Sequence, residues 1–389
     1  MNRYDSILLA VTVALLAAIR VDPAAAQDTS VEAEPGLIPG HIEAGGVVQL
    51  SASNEQSYGG GSTTSTAAEQ LELGIGIELH KWVGTEVIWI HEHEDEEAGD
   101  EHGHDLGFLT ATVIVGPHEG SWWLKGGVQF LPFTLFELAS VHAVHDATIG
   151  PFESAAIVDP LSFEYGEKLE KSLQLGVSVG QFEGSLFGFY GDDPRSSGNR
   201  AGYGAAIGYK DALDNGAEFA VNLSFIDDLG GLDLFTEELF DESGVADGAH
   251  QRSDANEDDR VPGWAAATQL AVYDLTVTGE FMIAQDRFSP SVLTFGDRGA
   301  RPSVWVLEAG YAFELAGRSG EVVLASHGTS EAAGLALPAS RFVAALNVDL
   351  WNERLIGTVE WVRDSDYGTS HDGTGGVLNT YTAQLGIEF

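Results

Sequence analysis

The chain has 389 residues, a formal charge of −42 at neutral pH, 48 glycines, two methionines and no cysteine. Lacking cysteine, it has no disulfide frame, no thiolate metal site and no cysteine nucleophile. So acidic a surface repels nucleic acid and favours cationic or metal-bearing solutes.

Arg3 precedes an apolar run, Ile7–Ile19, and then small residues ending Ala24-Ala25-Ala26 before Gln27. This reads as a signal peptide over 1–26 with an A-x-A cleavage site, too short for a spanning helix. Residues 27–39, punctuated by Pro35 and Pro39, show no periodicity and read as a periplasmic lead-in. No later apolar stretch approaches the ~18 residues a membrane helix needs. A membrane reading therefore requires a closed barrel, the other arrangement that pairs every backbone group in lipid.

From residue 40 onward the chain alternates. Candidate strands fall at 40–52, 68–79, 82–93, 106–116, 121–131, 170–180, 183–191, 200–210, 216–227, 262–272, 274–285, 302–314, 320–328, 340–350, 354–364 and 378–389. In the cleanest, Leu71, Leu73, Ile75, Ile77 and Leu79 share one face, and Gln70, Glu72, Gly74, Gly76 and Glu78 the other. The segment 378–389 does the same, with Tyr381, Ala383, Leu385, Ile387 and Phe389 opposing Thr380, Thr382, Gln384, Gly386 and Glu388. One oil-facing and one water-facing column per strand is the pattern of a membrane barrel. The stretches 262–272 and 320–328 alternate poorly, which leaves the count between 14 and 18.

Tight joins alternate with longer polar ones at 53–67, 94–105, 132–169, 228–261, 286–301 and 329–339. A soluble sandwich or propeller does not need that alternation; short periplasmic turns and long extracellular loops do. Aromatics near strand ends, among them Trp82, Trp122, Trp123, Tyr209, Trp264, Tyr273, Trp351 and Trp361, suit interfacial girdles. The predicted fold is all-β: a transmembrane antiparallel barrel of about 16 strands over 40–389, in the outer membrane of a Gram-negative bacterium, its partner the membrane lipid.

In such a barrel, function lies in the bore and its narrowest loop. The lumen-facing candidates are Glu72, Glu78, Lys125, Gln129, Gln174, Glu218, Glu280, Glu308, Asp349 and Glu360, with Lys125 and Lys171 as the few inward cations. A negative lumen prefers cations. The connection 132–169 follows the fifth strand and is apolar for a loop, with Phe133, Phe136, Phe152, Leu161 and Phe163, so it is expected to fold inward. Its carboxylates Glu137, Glu153, Asp159, Glu164 and Glu167 are candidates for the constriction and for solute binding. The segment GYGAAIG (202–208) has only glycine and alanine on its even face, leaving room for something to pack there.

His91, His93, His102 and His104 stand among seven carboxylates between Glu92 and Glu101. Two H-x-H pairs with carboxylates can ligate a transition metal, and the same run also suits weak cation attraction or plain solvation. No G-x-S-x-G, H-E-x-x-H or P-loop occurs, so neither an enzyme nor a resident cofactor is expected.

GGVQFLPF (126–133) and the run 151–192 resemble the LbtU-like siderophore porin family. The resemblance is carried by Phe130, Pro132, Phe133, Phe152, Glu153, Asp159, Pro160, Leu161, Glu164, Gly166, Glu167, Gln174 and Gly176, with weaker likeness over 203–234 and 261–284. Thr134–Gly150 departs from it as an insertion. The resemblance implies passage of iron–siderophore complexes without a plug domain. The expected function is passive uptake of small solutes through an acidic pore, refined by the resemblance to ferric siderophores. A general cation-preferring diffusion porin, and an adhesin or metal scavenger acting through its acidic His-rich loops, are the alternatives. A homotrimer is left open.

Overall fold

The computed structural model describes residues 41–56, 62–80, 82–92, 106–117, 121–133, 161, 169–192, 199–213, 216–232, 260–351, 354–371 and 373–388. The expected signal peptide and lead-in lie outside the described residues, as does most of the connection 132–169. The chain begins with β1 (His41–Gln56), β2 (Ser62–His80), β3 (Val83–Glu92), β4 (Leu106–Val115) and β5 (Trp122–Phe130). Then come β6 (Leu169–Val179), β7 (Phe182–Asp192), β8 (Asn199–Ala212), β9 (Glu218–Ile226), β10 (Gly263–Val272) and β11 (Leu275–Ala284). The short β12 (Thr294–Phe295) and β13 (Arg298–Gly299) pair with each other. The chain continues through β14 (Ser303–Leu315), β15 (Arg318–Ser330), β16 (Ser340–Trp351), β17 (Leu355–Ser365) and β18 (Val377–Glu388).

All strands but β12 and β13 form one closed barrel of sixteen strands, each antiparallel to its sequential neighbour. The seam joins β1 to β18, from Val47 opposite Glu388 to Gln56 opposite Asn379. Closure leaves no strand edge, so ladder donors and acceptors are met without water.

Alternation is what makes the wall two-sided. On β6, Leu173, Leu175, Val177 and Val179 are 58%, 48%, 48% and 70% exposed, whereas Gln174 is 2% exposed. The apolar column faces outward and the polar one inward, the reverse of a water-soluble barrel's economy and the arrangement that lipid requires. The same outward column runs through Leu186, Ile207, Leu223, Phe281, Leu307, Leu324, Leu346, Val359 and Leu385. Outward aromatics meet across strands near the ends, as in Phe182–Tyr209 (4.8 Å between ring centroids), Trp82–Trp122 (6.1 Å), Phe225–Trp264 (4.9 Å) and Phe342–Trp361 (5.7 Å). These are the two girdles.

Tight joins collect at one end of the barrel. Ala316 and Gly317, between β14 and β15, have φ of 55° and 76°, the left-handed pair a two-residue hairpin demands.

Three expectations need correction. The connection read as a long loop over 53–67 is mostly strand: β1 and β2 continue as a paired ribbon to Gln56 opposite Ser62. The runs SASNEQ and STTSTAAE lack apolar alternation, which hid it. Trp123 does not join a girdle. It points inward and covers Gly176, where a Cβ would strike its indole. Lys171 shares the outward face of β6 and sits opposite Tyr190, so it is not a lumen cation. The two poorly alternating stretches are strands as expected, β10 and β15, which settles the barrel count at sixteen. Buried Ala265, Ala267, Val323 and Ala325 interrupt their inward columns, so Gln269, Glu321 and His327 do not form a continuous polar face.

Candidate solute pathway

The inward faces of β11 and β14–β17 form four ladder rows. The first runs Glu280, Val306, His327, Arg341, Asp364, and the second Thr278, Glu308, Ala325, Val343, Val362. The third holds Thr276, Gly310, Val323, Ala345 and Glu360; the fourth, Ala312, Glu321, Asn347 and Thr358. Successive rows lie roughly 6–7 Å apart along a strand. Glu280, Glu308 and Glu360 thus step across the wall as an acidic staircase. Glu321 joins it because Gly310 has no side chain: the Glu321 carboxylate fills the space a Cβ there would take.

One cation answers these carboxylates on the same wall. Arg341 grips Asp364 with two parallel bonds, Nε to Oδ1 at 2.9 Å and a terminal nitrogen to Oδ2 at 3.0 Å. The two side chains are only 10% and 9% exposed. His327, opposite Arg341 in the ladder, is 2% exposed and neither ring nitrogen has a hydrogen-bond partner among the described residues. Below this row, Ala325, Val343 and Val362 form a dry patch.

Toward the long-loop end, connections fold onto the inward wall. Leu229, Leu232, Phe288, Leu293 and Leu335 pack with the inward residues Phe187, Phe189, Ala265, Met282 and Val304. Phe187 and Phe189 answer the question posed by the glycine-rich face of β8. Their rings lie over Gly204 and Gly202, where a Cβ at either would collide with them. Phe133 and Leu161, from the two ends of the connection 132–169, are fully buried in the same cluster. The hydroxyl of inward-facing Ser224 donates to the Phe133 carbonyl.

Glu331 ties this mouth together. It accepts from Arg287 at 2.6 and 3.2 Å, from Arg298 at 2.8 Å, and from the Arg301 backbone N–H at 2.7 Å. Burial works to raise the Glu331 pKa, but the bonds from Arg287 and Arg301 and the charges of Arg287 and Arg298 outweigh it and hold the carboxyl below its ordinary value. Tyr367 shares a 2.6 Å hydroxyl contact with Thr329 and meets Phe295 edge-on at 5.8 Å, and Phe295 stacks on His371 at 4.5 Å. Asp227 pairs with Arg260 and accepts from the Tyr203 N–H, yet burial keeps its pKa raised.

The residues singled out in the sequence distribute as follows. Gln129 and Gln174 are buried on the inward face, Glu280 and Glu308 are half-buried there, and Glu360 is 5% exposed. Lys125 faces Gln174 across the ladder. Glu78, Asp349 and the exposed Glu218 stand near the tight-turn end, apart from the staircase. Glu72 is described as backbone alone, opposite Val47 and Ile90. Glu137, Glu153, Asp159, Glu164 and Glu167 lie outside the described residues. So do His93, His102 and His104; the His91 backbone pairs with Leu71 and Leu106. Among the described residues no group of three or more His, Cys, Asp or Glu is placed to hold a metal ion. Sequence reading missed Arg341, Asp364, His327 and Glu321. Alternation from Asn347 and Asp349 leads back to Arg341 on the same face, so that signal was available.

This is the architecture of a sixteen-stranded outer-membrane porin, and solved structures share it. OmpF of Salmonella typhi, in complex with daunomycin, superposes with a TM-score of 0.57 at 12% identity, covering 90% of this chain and 97% of that one. The anion-selective porin of Comamonas acidovorans gives 0.53 at 12% identity over 90% and 99%. The channel DcaP of Acinetobacter baumannii gives 0.53 at 10% over 92% and 99%. At such identities the likeness shows the fold alone. In sequence the chain is similar to a UPF0422 protein of Legionella pneumophila strain Paris, 25% identical over 260 residues, 62% of this chain and 48% of that protein. A UPF0422 protein of Coxiella burnetii is 23% identical over 231 residues, 58% and 47% of the two chains. The chain thus spans about half the length of the curated relatives it matches. No family model matches.

Proposed function

We propose that the protein is an outer-membrane porin of a Gram-negative bacterium, passing small solutes passively down their gradients and preferring cations. The closed wall with its oil-facing outer column and the staircase Glu280–Glu308–Glu321–Glu360 on its inner face carry this reading. Fixed carboxylates along a bore raise the local concentration of cations and exclude anions. The connection 132–169 folds into the bore as the constriction, with Glu137, Glu153, Asp159, Glu164 and Glu167 on it. The burial of Phe133 and Leu161 against inward-facing residues supports this course. Ferric siderophores are the refined cargo, a refinement resting on the LbtU-like resemblance over 126–192. The staircase by itself favours the general cation-preferring diffusion porin.

Reconstitution into planar bilayers tests all of this. Cation-selective steps that a ferric siderophore blocks support the refined reading, and steps without block support the general one. Absence of conductance refutes both.

A further inference from the structure

The inward faces of β4, β5 and β6 carry a second arrangement that the acidic staircase does not use. Along β5 the inward positions are Trp123, Lys125, Gly127 and Gln129. On one side stand Thr110, Thr112 and Ile114 of β4, with Thr112 opposite Gly127 and Ile114 opposite Lys125. On the other stand Ser172, Gln174 and Gly176 of β6, opposite Gly127, Lys125 and Trp123. The charges on and beside the strip are Lys125, Glu170 of β6 opposite Gln129, and Glu86 of β3 opposite Thr112; carboxylates accept from sugar hydroxyls as amide oxygens do.

Its two ends differ in chemistry. Gly176 removes the side chain beneath Trp123, so the indole lies against the wall, and Trp123 is only half-buried. Ile114 flanks it. At the other end, Gln129 Nε2 donates to the Ser172 hydroxyl at 2.8 Å. The Gln129 Oε1 and the hydroxyls of Thr110 and Thr112 have no hydrogen-bond partner among the described residues. Gln129 and Thr112 are each 2% exposed and Thr110 is 8% exposed. Buried polar atoms without a partner are costly in a native wall and call for a ligand or bound water. Gly127 opens the middle of the strip. Its φ of 144° and the backbone of Ala111 close against it exclude any side chain there.

An aromatic surface followed by a gap and then by amide and hydroxyl oxygens matches one class of small molecule. We propose that the inward face of β4–β6 is a binding track for an uncharged, polyhydroxylated ring, a monosaccharide in the simplest case. The ring's apolar face rests on Trp123 and its hydroxyls bond to Gln129, Thr112 and Thr110. Hydroxyls suit this set because each both donates and accepts, as the threonines do, while Gln129 Oε1 only accepts. The proposal rests on the porin reading and adds a solute class for which the acidic staircase has no use.

Glucose in the same bilayer recording separates the two claims. Ion conductance in potassium chloride tests the porin reading, and its partial, saturable reduction by glucose tests the track. Each variant is compared with its own unblocked current. Gln129→Leu and Thr112→Val are expected to raise the half-blocking glucose concentration about five- to tenfold each, the usual effect of one lost hydrogen bond to a bound solute. Trp123→Ala is expected to do the same and Trp123→Phe to restore block. Polyethylene glycol of similar size, which reports bore width alone, is expected to act equally on all variants. Conducting channels that glucose does not block, or whose block is unchanged by all three substitutions, overturn the track and leave the porin reading standing.

Discussion

Breaking the Arg341–Asp364 pair is the sharpest test of how the inner wall is held. Both side chains are about nine-tenths buried, and their two near-parallel bonds fix the guanidinium against the carboxylate across the β16–β17 ladder. Arg341→Ala strands the Asp364 carboxylate beside the dry patch of Val343 and Val362. Leaving one buried charge without its partner costs about 3–5 kcal/mol, mostly the desolvation penalty of the survivor. Water reaching the bore relieves part of that, so about 3 kcal/mol is expected, and Asp364→Ala should match it. The double variant Arg341→Met/Asp364→Leu removes both charges and keeps the volume, and is expected within about 1 kcal/mol of the parent. Urea unfolding in lipid vesicles, followed by tryptophan fluorescence, gives these differences. Single variants each costing under about 0.5 kcal/mol, or a double variant whose loss equals their sum, refute the reasoning.

Three further outcomes follow from the same wall and its mouth. Replacing Glu280, Glu308 and Glu360 together with glutamine should move the reversal potential in a salt gradient toward that of a non-selective pore, and an unchanged potential would exclude the staircase as the filter. Leu324→Arg, on the outward face of β15, should destabilise the barrel by about 2–4 kcal/mol in vesicles, whereas a cost near zero would place that column in water. Glu331 has its pKa depressed in the folded state, so its contribution is fully present above its ordinary value of 4.5 and is lost as pH falls through the lower, folded value. Amides at Val292, Leu293 and Ala300, which bond within or next to the same connection, should therefore lose protection, measured against their intrinsic exchange rate at each pH, as pH drops below about 4.5. Exchange that does not respond to Glu331→Gln would detach Glu331 from the mouth.

What the sequence showed depended on which solvent each strand meets. Where a strand has lipid on one side and water on the other, as in β2, β6 or β18, alternation marked both the strand and its inward side chains. Two situations erased it. The β1–β2 ribbon, rich in serine and threonine, lacks apolar alternation and looked like a loop. On β10 and β15 the inward column is interrupted by buried alanine and valine, Ala265 under the folded connections and Ala325 against Val343 and Val362, so Gln269, Glu321 and His327 do not read as a continuous polar face. The small residues of β8 were legible as a gap, but not the Phe187 and Phe189 rings that fill it, since nothing along one strand states what its neighbour projects. Pairings such as Arg341 with Asp364, or Glu331 with three arginine residues, depend on register between strands and loops far apart in the chain. The staircase carboxylates were legible as inward singly; that Glu321 joins them depends on the gap at Gly310.

The two-sided, closed wall is tested most directly on β18, the strand that closes the ring against β1. The chain has no cysteine, so single substitutions from Thr380→Cys to Leu385→Cys can be labelled one at a time. In lipid vesicles, a label at Tyr381, Ala383 or Leu385 is expected to be quenched by lipid-borne nitroxide, and one at Thr380, Thr382 or Gln384 by a water-soluble quencher. Quenching that does not alternate, or alternates in the opposite phase, contradicts the barrel and the pore built on it.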